Sequence, residues 1–363
     1  MRIFKRLLAF VLINLLVLGL VSLVLHQEFT MDMLMEEAEF QNADAVILGQ
    51  SLPQTGLDPS LFHREGETVF NFSRGAISME CLPVLLKEVH RSQPLKTVYL
   101  NLDPTYWSET DWISELSGSV DNDVVALFYR SLSHISSPSY LWKVLDRQPF
   151  GNILFPYSLD STTVRDLPRT LPRKFHTPAE KSREDYISDM RSRNQTTEEY
   201  EYRGSGFMYG IRSNVEAWAI EEYSPLPDTP PHPIFDAGKV PQGTLDAFRE
   251  IADYCRDQGL ELICFTTAQS PEILLRSDYG TVHDFYAGLC SDHQVPYYDL
   301  NYLKPAYLPR SITDYVDLDG HMLGALAQAQ SLLFLEILES PHPETYFCPD
   351  YDSLLSEIRS ARG

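Results

Sequence analysis

A serine near the start of the chain and an acid–histidine run near its end are residues whose types suit joint chemistry. Ser51 closes the stretch Ala43-Asp-Ala-Val-Ile-Leu-Gly-Gln-Ser51, and Asp317-Leu-Asp-Gly-His321 lies far downstream. A serine hydroxyl is a poor nucleophile near neutral pH and needs a base to take its proton. An imidazole, titrating near pH ~6.5, suits that task, and a carboxylate can hold it in one tautomer. Ser51, His321 and either Asp317 or Asp319 are therefore a candidate nucleophile, base and orienter. Asp319-Gly320 is a turn dipeptide, which would engage the Asp319 carboxylate with local backbone. Asp317 ends a short Tyr-Val run and has the freer carboxylate. Acyl chemistry also needs donors fixed where negative charge develops on a carbonyl oxygen. The candidates are the Ser51 backbone N–H, the Gly75 N–H, since glycine lets backbone approach a ligand closely, and the Asn101 side chain.

These residues need a scaffold that brings the two ends of the chain together. Val46, Ile47 and Leu48 form an unbroken apolar run, as in a strand buried on both faces. A turn-rich segment, Leu52 to Pro59, follows Ser51. Further strands are expected at Thr68–Phe72, Lys96–Asp103, Leu260–Thr267 and Val295–Leu300. Helices are expected at Ile77–Arg91, Leu245–Gln258 and Leu323–Leu338, with another opened by Ser270-Pro271. This alternation predicts a doubly wound α/β domain with a parallel sheet over residues 43–340, placing a hydroxyl after the first strand where open α/β sheets bind ligands. Residues 105–240 break the alternation, with a helix expected around 124–145 and a glycine- and aromatic-rich run, Arg203 to Gly210. They read as an inserted cap over the carboxyl ends of the strands. Its Tyr106, Trp107, Trp112 and Tyr209 are candidates to line an acceptor groove or to pack the cap. Residues 341–363 form a tail with an amphipathic piece near Tyr351–Ile358.

Composition limits the function further. The 363 residues suffice for one α/β core with a large insertion. A net charge of −22 argues against nucleic acid and against peripheral attachment to anionic lipid. The five cysteines show no Cys-x-x-Cys pair and read as mostly buried thiols, with one disulfide open to an oxidising compartment. No His-Glu-x-x-His or phosphate-binding loop is present, so no metal and no cofactor is expected. Arg2, Lys5 and Arg6 precede Leu7 to Leu25, nineteen residues without a charge. At ~1.5 Å per residue they span roughly 28 Å, close to a bilayer core. Residues 1–26 are thus expected to be an uncleaved signal anchor crossing the cell membrane once, with the rest of the chain extracytoplasmic. Residues 27–42 read as a polar juxtamembrane helix or spacer.

Gly49-Gln-Ser51 with Gly56-Leu-Asp-Pro59 resembles the first block of the SGNH/GDSL hydrolase superfamily, in its membrane-anchored bacterial cell-envelope branch. Asn71-Phe-Ser-Arg-Gly75 is similar to the second, glycine-bearing block. Asp317 to His321 is similar to the last block, which carries the catalytic Asp and His. The likeness covers about 43–104 and 240–338. It departs at Leu318, where the family places its Asp three residues before the His, and at Leu323, where the family has Asn. Leu100-Asn-Leu-Asp103 is also not the family's Gly-x-Asn-Asp. The resemblance implies a flavodoxin-like fold and a Ser-His-Asp mechanism through an acyl-serine intermediate. Water as acceptor makes an esterase. A polymer hydroxyl makes an O-acyltransferase of cell-wall or exported polysaccharide, with a membrane partner as a candidate source of the acyl donor. The alternative is an inert envelope scaffold that keeps the fold for binding.

Overall fold

The computed structural model describes residues 2–25, 30–75, 77–104, 107, 182–191, 197–227, 231 and 236–362. The chain divides into two compact units, Met1–Met33 with Leu116–Ser182, and Leu34–Glu115 with Arg183–Gly363. Helix α1, Arg2–Leu25, lies in the first unit; helix α2, Thr30–Gln41, begins there and continues into the second. Phe4, Leu7, Phe10, Ile13 and Leu16 on α1 are exposed. Among the described residues no helix is long and apolar enough to cross a membrane. The transmembrane helix expected over 1–26 is therefore not among the elements found. Within the stretch read as a polar helix or spacer, Thr30–Gln41 is helical, and Leu34, Met35, Glu37 and Ala38 on it are buried.

The second unit is α/β. Its strands are β1 (Ala45–Leu48), β2 (Val69–Asn71), β3 (Thr97–Asn101), β4 (Tyr200–Tyr202), β5 (Met208–Gly210), β6 (Glu261–Thr266) and β7 (Tyr297–Asp299). Five of them form one sheet in the order β2-β1-β3-β6-β7. Every pairing in it is parallel, with Val46 opposite Phe70 on one side and Val98 on the other. This is the flavodoxin-like order, and it is compatible with SGNH-like folds. β4 and β5 form a separate antiparallel hairpin.

The helices are α3 (Ser51–Gly56), α4 (Leu82–Ser92), α5 (Gln242–Gln258), α6 (Tyr279–Asp292), α7 (Gly324–Glu339) and α8 (Tyr351–Arg362). The β1 side chains are fully buried, as strands covered on both faces require. Complete burial of each aliphatic residue stabilises the fold by roughly 1.5–3 kcal/mol. On one face Phe62 stacks on Phe334 of α7 at 5.1 Å and meets Tyr99 of β3 edge-on. α5 ends at Gly259, whose φ of +69° suits the left-handed cap that glycine adopts without cost.

Two local expectations change. The segment after Ser51 is helical, because Pro53 falls in the first turn, where its missing N–H has no intrahelical acceptor to serve. The helix expected from Ser270-Pro271 is a single turn, Pro271–Leu274, and α6 starts only at Tyr279. Of the insertion, the described elements include a helix at Arg183–Met190, the β4–β5 hairpin and a helix at Ala217–Tyr223. Tyr106, Trp112 and the helix expected around 124–145 lie outside the described residues. Trp107 lines no groove: it is fully buried against Phe248, Phe285 and Tyr286. All five cysteines are buried, and none forms a disulfide. The amphipathic piece of the tail is α8, with Leu354, Leu355 and Ile358 buried.

Candidate active site

The site forms at the carboxyl ends of β1, β2 and β3. Gly49 follows β1, and a Cβ there would lie 2.5 Å from Pro53 Cγ and 2.8 Å from Asn101 Cβ. Only glycine allows the chain to turn so tightly from β1 into α3. The turn makes Ser51 the first residue of α3, half-buried, with its N–H in a turn that offers no intrahelical acceptor. The loop after β2 is held against this turn. Arg74 donates its backbone N–H to the Gly49 carbonyl at 3.1 Å. Asn71 donates through Nδ2 to the Pro53 carbonyl at 2.7 Å, and its Oδ1 accepts from the Ser73 N–H at 3.0 Å. Exposed Gly75 comes next, where an added Cβ would stand 3.8 Å from Ser51 Cβ. The Ser51 and Gly75 backbones are thus adjacent.

Asn101 is placed differently. It is fully buried beneath Gly49, and its Nδ2 donates to the Phe265 carbonyl of β6 at 3.4 Å. The amide N–H proposed as an oxyanion donor is directed into the sheet, and among the described residues Asn101 Oδ1 is buried without a partner.

The acid–histidine run is a closed loop. Tyr315 and Met322 pair across it in an isolated antiparallel bridge, and Val316 N–H donates to the His321 carbonyl at 2.7 Å. Gly320 has φ +101°, and a Cβ there would strike the Gln269 amide at 2.2 Å. Inside the loop, His321 Nδ1 lies 2.7 Å from Asp317 Oδ2. Asp317 Oδ1 accepts the backbone N–H groups of Asp319 at 3.1 Å and of His321 at 3.3 Å. Asp319 is exposed, and among the described residues its carboxylate makes no hydrogen bond to His321. With Nδ1–H donated to Asp317, Nε2 keeps the lone pair that a general base uses.

The charges follow the geometry. Burial pulls the His321 imidazole down, but the Asp317 hydrogen bond and the charges of Asp317, Asp319 and Asp103 outweigh it, so its pKa is raised above the ordinary value. Burial pushes Asp317 up, but the His321 contacts outweigh that too, and its pKa is lowered. The loop lies against the far end of the Ser51 helix, since a Cβ on Gly56 would meet Met322 Sδ at 3.6 Å. Among the described residues no hydrogen bond joins Ser51 to His321.

Donor atoms of Asp317, Asp319 and His321 lie within 4.8 Å of one another. A cation bridging all three would compete with the Asp317–His321 hydrogen bond, so we do not identify them as ligands.

Several residues near the site carry no motif in the sequence. Tyr200 OH lies 3.5 Å from Asp317 Oδ2, and its ring meets His321 edge-on at 6.3 Å. Tyr209 packs on α7, where a Cβ on Gly324 would overlap its ring at 2.0 Å. A second acid–histidine pair, Asp299 and His283, stands at the end of β7 with Nδ1 2.8 Å from Oδ2. The run from Arg203 stands out as glycine- and aromatic-rich, but nothing in it indicated which loop the hairpin would touch.

In comparison with known proteins, no family model and no curated protein matches the chain.

Proposed function

We propose that this chain is a serine esterase or O-acyltransferase of SGNH type, acting on acyl esters of cell-envelope or exported polysaccharide. The observation that carries the reading is the 2.7 Å Asp317–His321 hydrogen bond, in a loop packed against the helix that begins at Ser51. In this mechanism His321 Nε2 takes the Ser51 proton as Oγ adds to the ester carbonyl. Asp317 holds the imidazole and stabilises the imidazolium that forms. The Ser51 and Gly75 N–H groups are the donors for the oxyanion. The imidazolium returns its proton to the leaving alkoxide, and the acyl-serine passes its acyl group to water or to a glycan hydroxyl. No cofactor enters these steps.

The uncharged run Leu7–Leu25 with basic residues before it supports anchoring in the cell membrane and an extracytoplasmic site. A membrane partner that supplies the acyl donor belongs to the transferase form of the reading. Reaction of the full chain with a fluorophosphonate probe tests the nucleophile. Labelling at Ser51, lost in Ser51→Ala, is expected. A second reading, an inert scaffold, draws on the missing Ser51–His321 hydrogen bond and on Leu318 and Leu323. Wild type that neither labels nor turns over a panel of acetylated glycans and aryl esters would favour it.

A further inference from the structure

We propose that Tyr200 is a positioning residue for the Asp317–His321 pair, held there by the β4–β5 hairpin, whose turn is fastened to α2 at the buried Glu37. The proposal rests on the reading of His321 as the base.

The far end of the hairpin is anchored on both backbone and side chain. Gly204, Ser205 and Gly206 all have positive φ, and a Cβ on Gly206 would lie 1.7 Å from the Asn71 carbonyl oxygen. The turn therefore rests directly on the last residue of β2, whose N–H donates to the Ser205 carbonyl at 2.9 Å. Glu37 receives the turn from the other side. Its Oε1 accepts from Ser205 N–H at 2.8 Å and from Gln41 Nε2 at 3.1 Å, and its Oε2 accepts from Tyr202 OH. Gly206 N–H donates to the Tyr202 hydroxyl at 3.0 Å, and Ser205 Oγ donates to Gln41 Oε1 at 2.9 Å. Glu37 is fully buried, and a buried carboxylate is costly unless hydrogen-bonded, so this node depends on the turn staying in place.

The near end is fitted to the loop of His321. A Cβ on Gly210 would lie 2.4 Å from the Met322 carbonyl oxygen, and the Asn214 N–H donates to the Val316 carbonyl at 2.6 Å. Tyr209 covers Gly324. Tyr200 pairs with Gly210 in the hairpin register, so these contacts fix the position of the Tyr200 ring. Burial and the Asp317 charge push its phenol above the ordinary range. The hydroxyl therefore stays protonated and donates toward Asp317 Oδ2, the oxygen that His321 Nδ1 also uses. Tyr200 thereby tempers the charge that the imidazole senses and sets its ring edge-on against His321.

The test is an NMR titration of His321 in the full chain, following the titration midpoint and the Nδ1–H resonance without substrate. Tyr200→Phe keeps the ring and removes the donor. The midpoint is expected to rise above wild type while the melting temperature stays the same. Glu37→Ala is expected to loosen the hairpin and speed solvent exchange of Nδ1–H. A Tyr200→Phe midpoint that equals or falls below wild type overturns the proposal, whether or not Glu37→Ala folds. Neither readout uses Ser51, so failure of wild type to label counts against the serine reading and leaves this result intact.

Discussion

Among the described residues two aspartate–histidine pairs have nearly equal geometry, and their surroundings differ. His321 Nδ1 is 2.7 Å from Asp317, and His283 Nδ1 is 2.8 Å from Asp299. The Asp299 side chain is 1% exposed, whereas Asp317 is 34% exposed. Asp299 Oδ1 accepts from Thr266 Oγ1 at 2.5 Å, Asn301 N–H at 3.0 Å, Asn301 Nδ2 at 3.1 Å and Tyr279 OH at 3.4 Å. These donors join β6, α6 and the segment after β7, and His283 stacks on Tyr302 at 3.9 Å. Asp317 takes most of its donors from its own loop. Asp299 thus ties elements together, while Asp317 serves one imidazole beside the β1–β3 end of the sheet. An Asp–His hydrogen bond alone is not a sign of catalysis. The difference lies in what else the carboxylate holds and in which strand end is nearby.

The largest expected effect separates nucleophile from scaffold. Ser51→Ala should lower probe labelling and ester turnover by several orders of magnitude, as loss of other triad serines does, with the melting temperature unchanged. The half-buried hydroxyl supports no core packing, so a parallel fall in stability would argue that Ser51 is structural. Asp317→Asn should follow, with a rate loss of up to about 10⁴-fold, because the amide favours the wrong imidazole tautomer. The same change at Asp319 should leave the rate near wild type. Equal losses at both positions would remove the assignment of Asp317 as the orienter.

The other pair should respond in the opposite sense. Asp299→Ala leaves Thr266, Asn301, Tyr279 and His283 without their shared acceptor and should cost about 3–5 kcal/mol in denaturant unfolding. Labelling of Ser51 per folded molecule should not change. A selective loss of labelling with full stability would make Asp299 part of the chemistry and collapse the contrast.

A smaller effect concerns pH. Asp317 is lowered in the fold, so its contribution to stability is present above the ordinary carboxylate value of 3.8 and is lost as pH falls through the lowered value. His321 is raised, so its contribution is present below 6.5 and is lost as pH rises through the raised value. Amide-exchange protection at Val316 and Leu323, which close the loop, measured relative to intrinsic exchange, should be greatest between those limits. The smallest effect expected is in Asp319→Asn. It removes one of the charges that raise His321, so the acidic limb of the labelling profile should move slightly to lower pH. Movement to higher pH would contradict that sign.

Part of this site can be read directly along the chain. The apolar run Val46–Leu48 reads as a doubly covered strand, and its end places Ser51 at the sheet's carboxyl edge. Asp317 and His321 are four residues apart around an Asp-Gly turn, so local backbone geometry alone brings them within reach. Such features depend on short-range sterics and side-chain periodicity, which sequence carries. The role of Asn101 was not legible, because its donor is claimed by Phe265, a residue on the adjacent strand but distant in sequence. The pairing of His283 with Asp299 joins a helix to the end of the following strand and leaves no motif. The partners of the hairpin were equally hidden. The glycine- and aromatic-rich run was visible, but only the folded chain gives Gly204 to Gly206 positive φ and brings Asn71, Glu37 and the His321 loop against the hairpin. Those contacts depend on which surfaces meet after the sheet has ordered its strands, a choice made by packing across long sequence separations and not by any local run of residues.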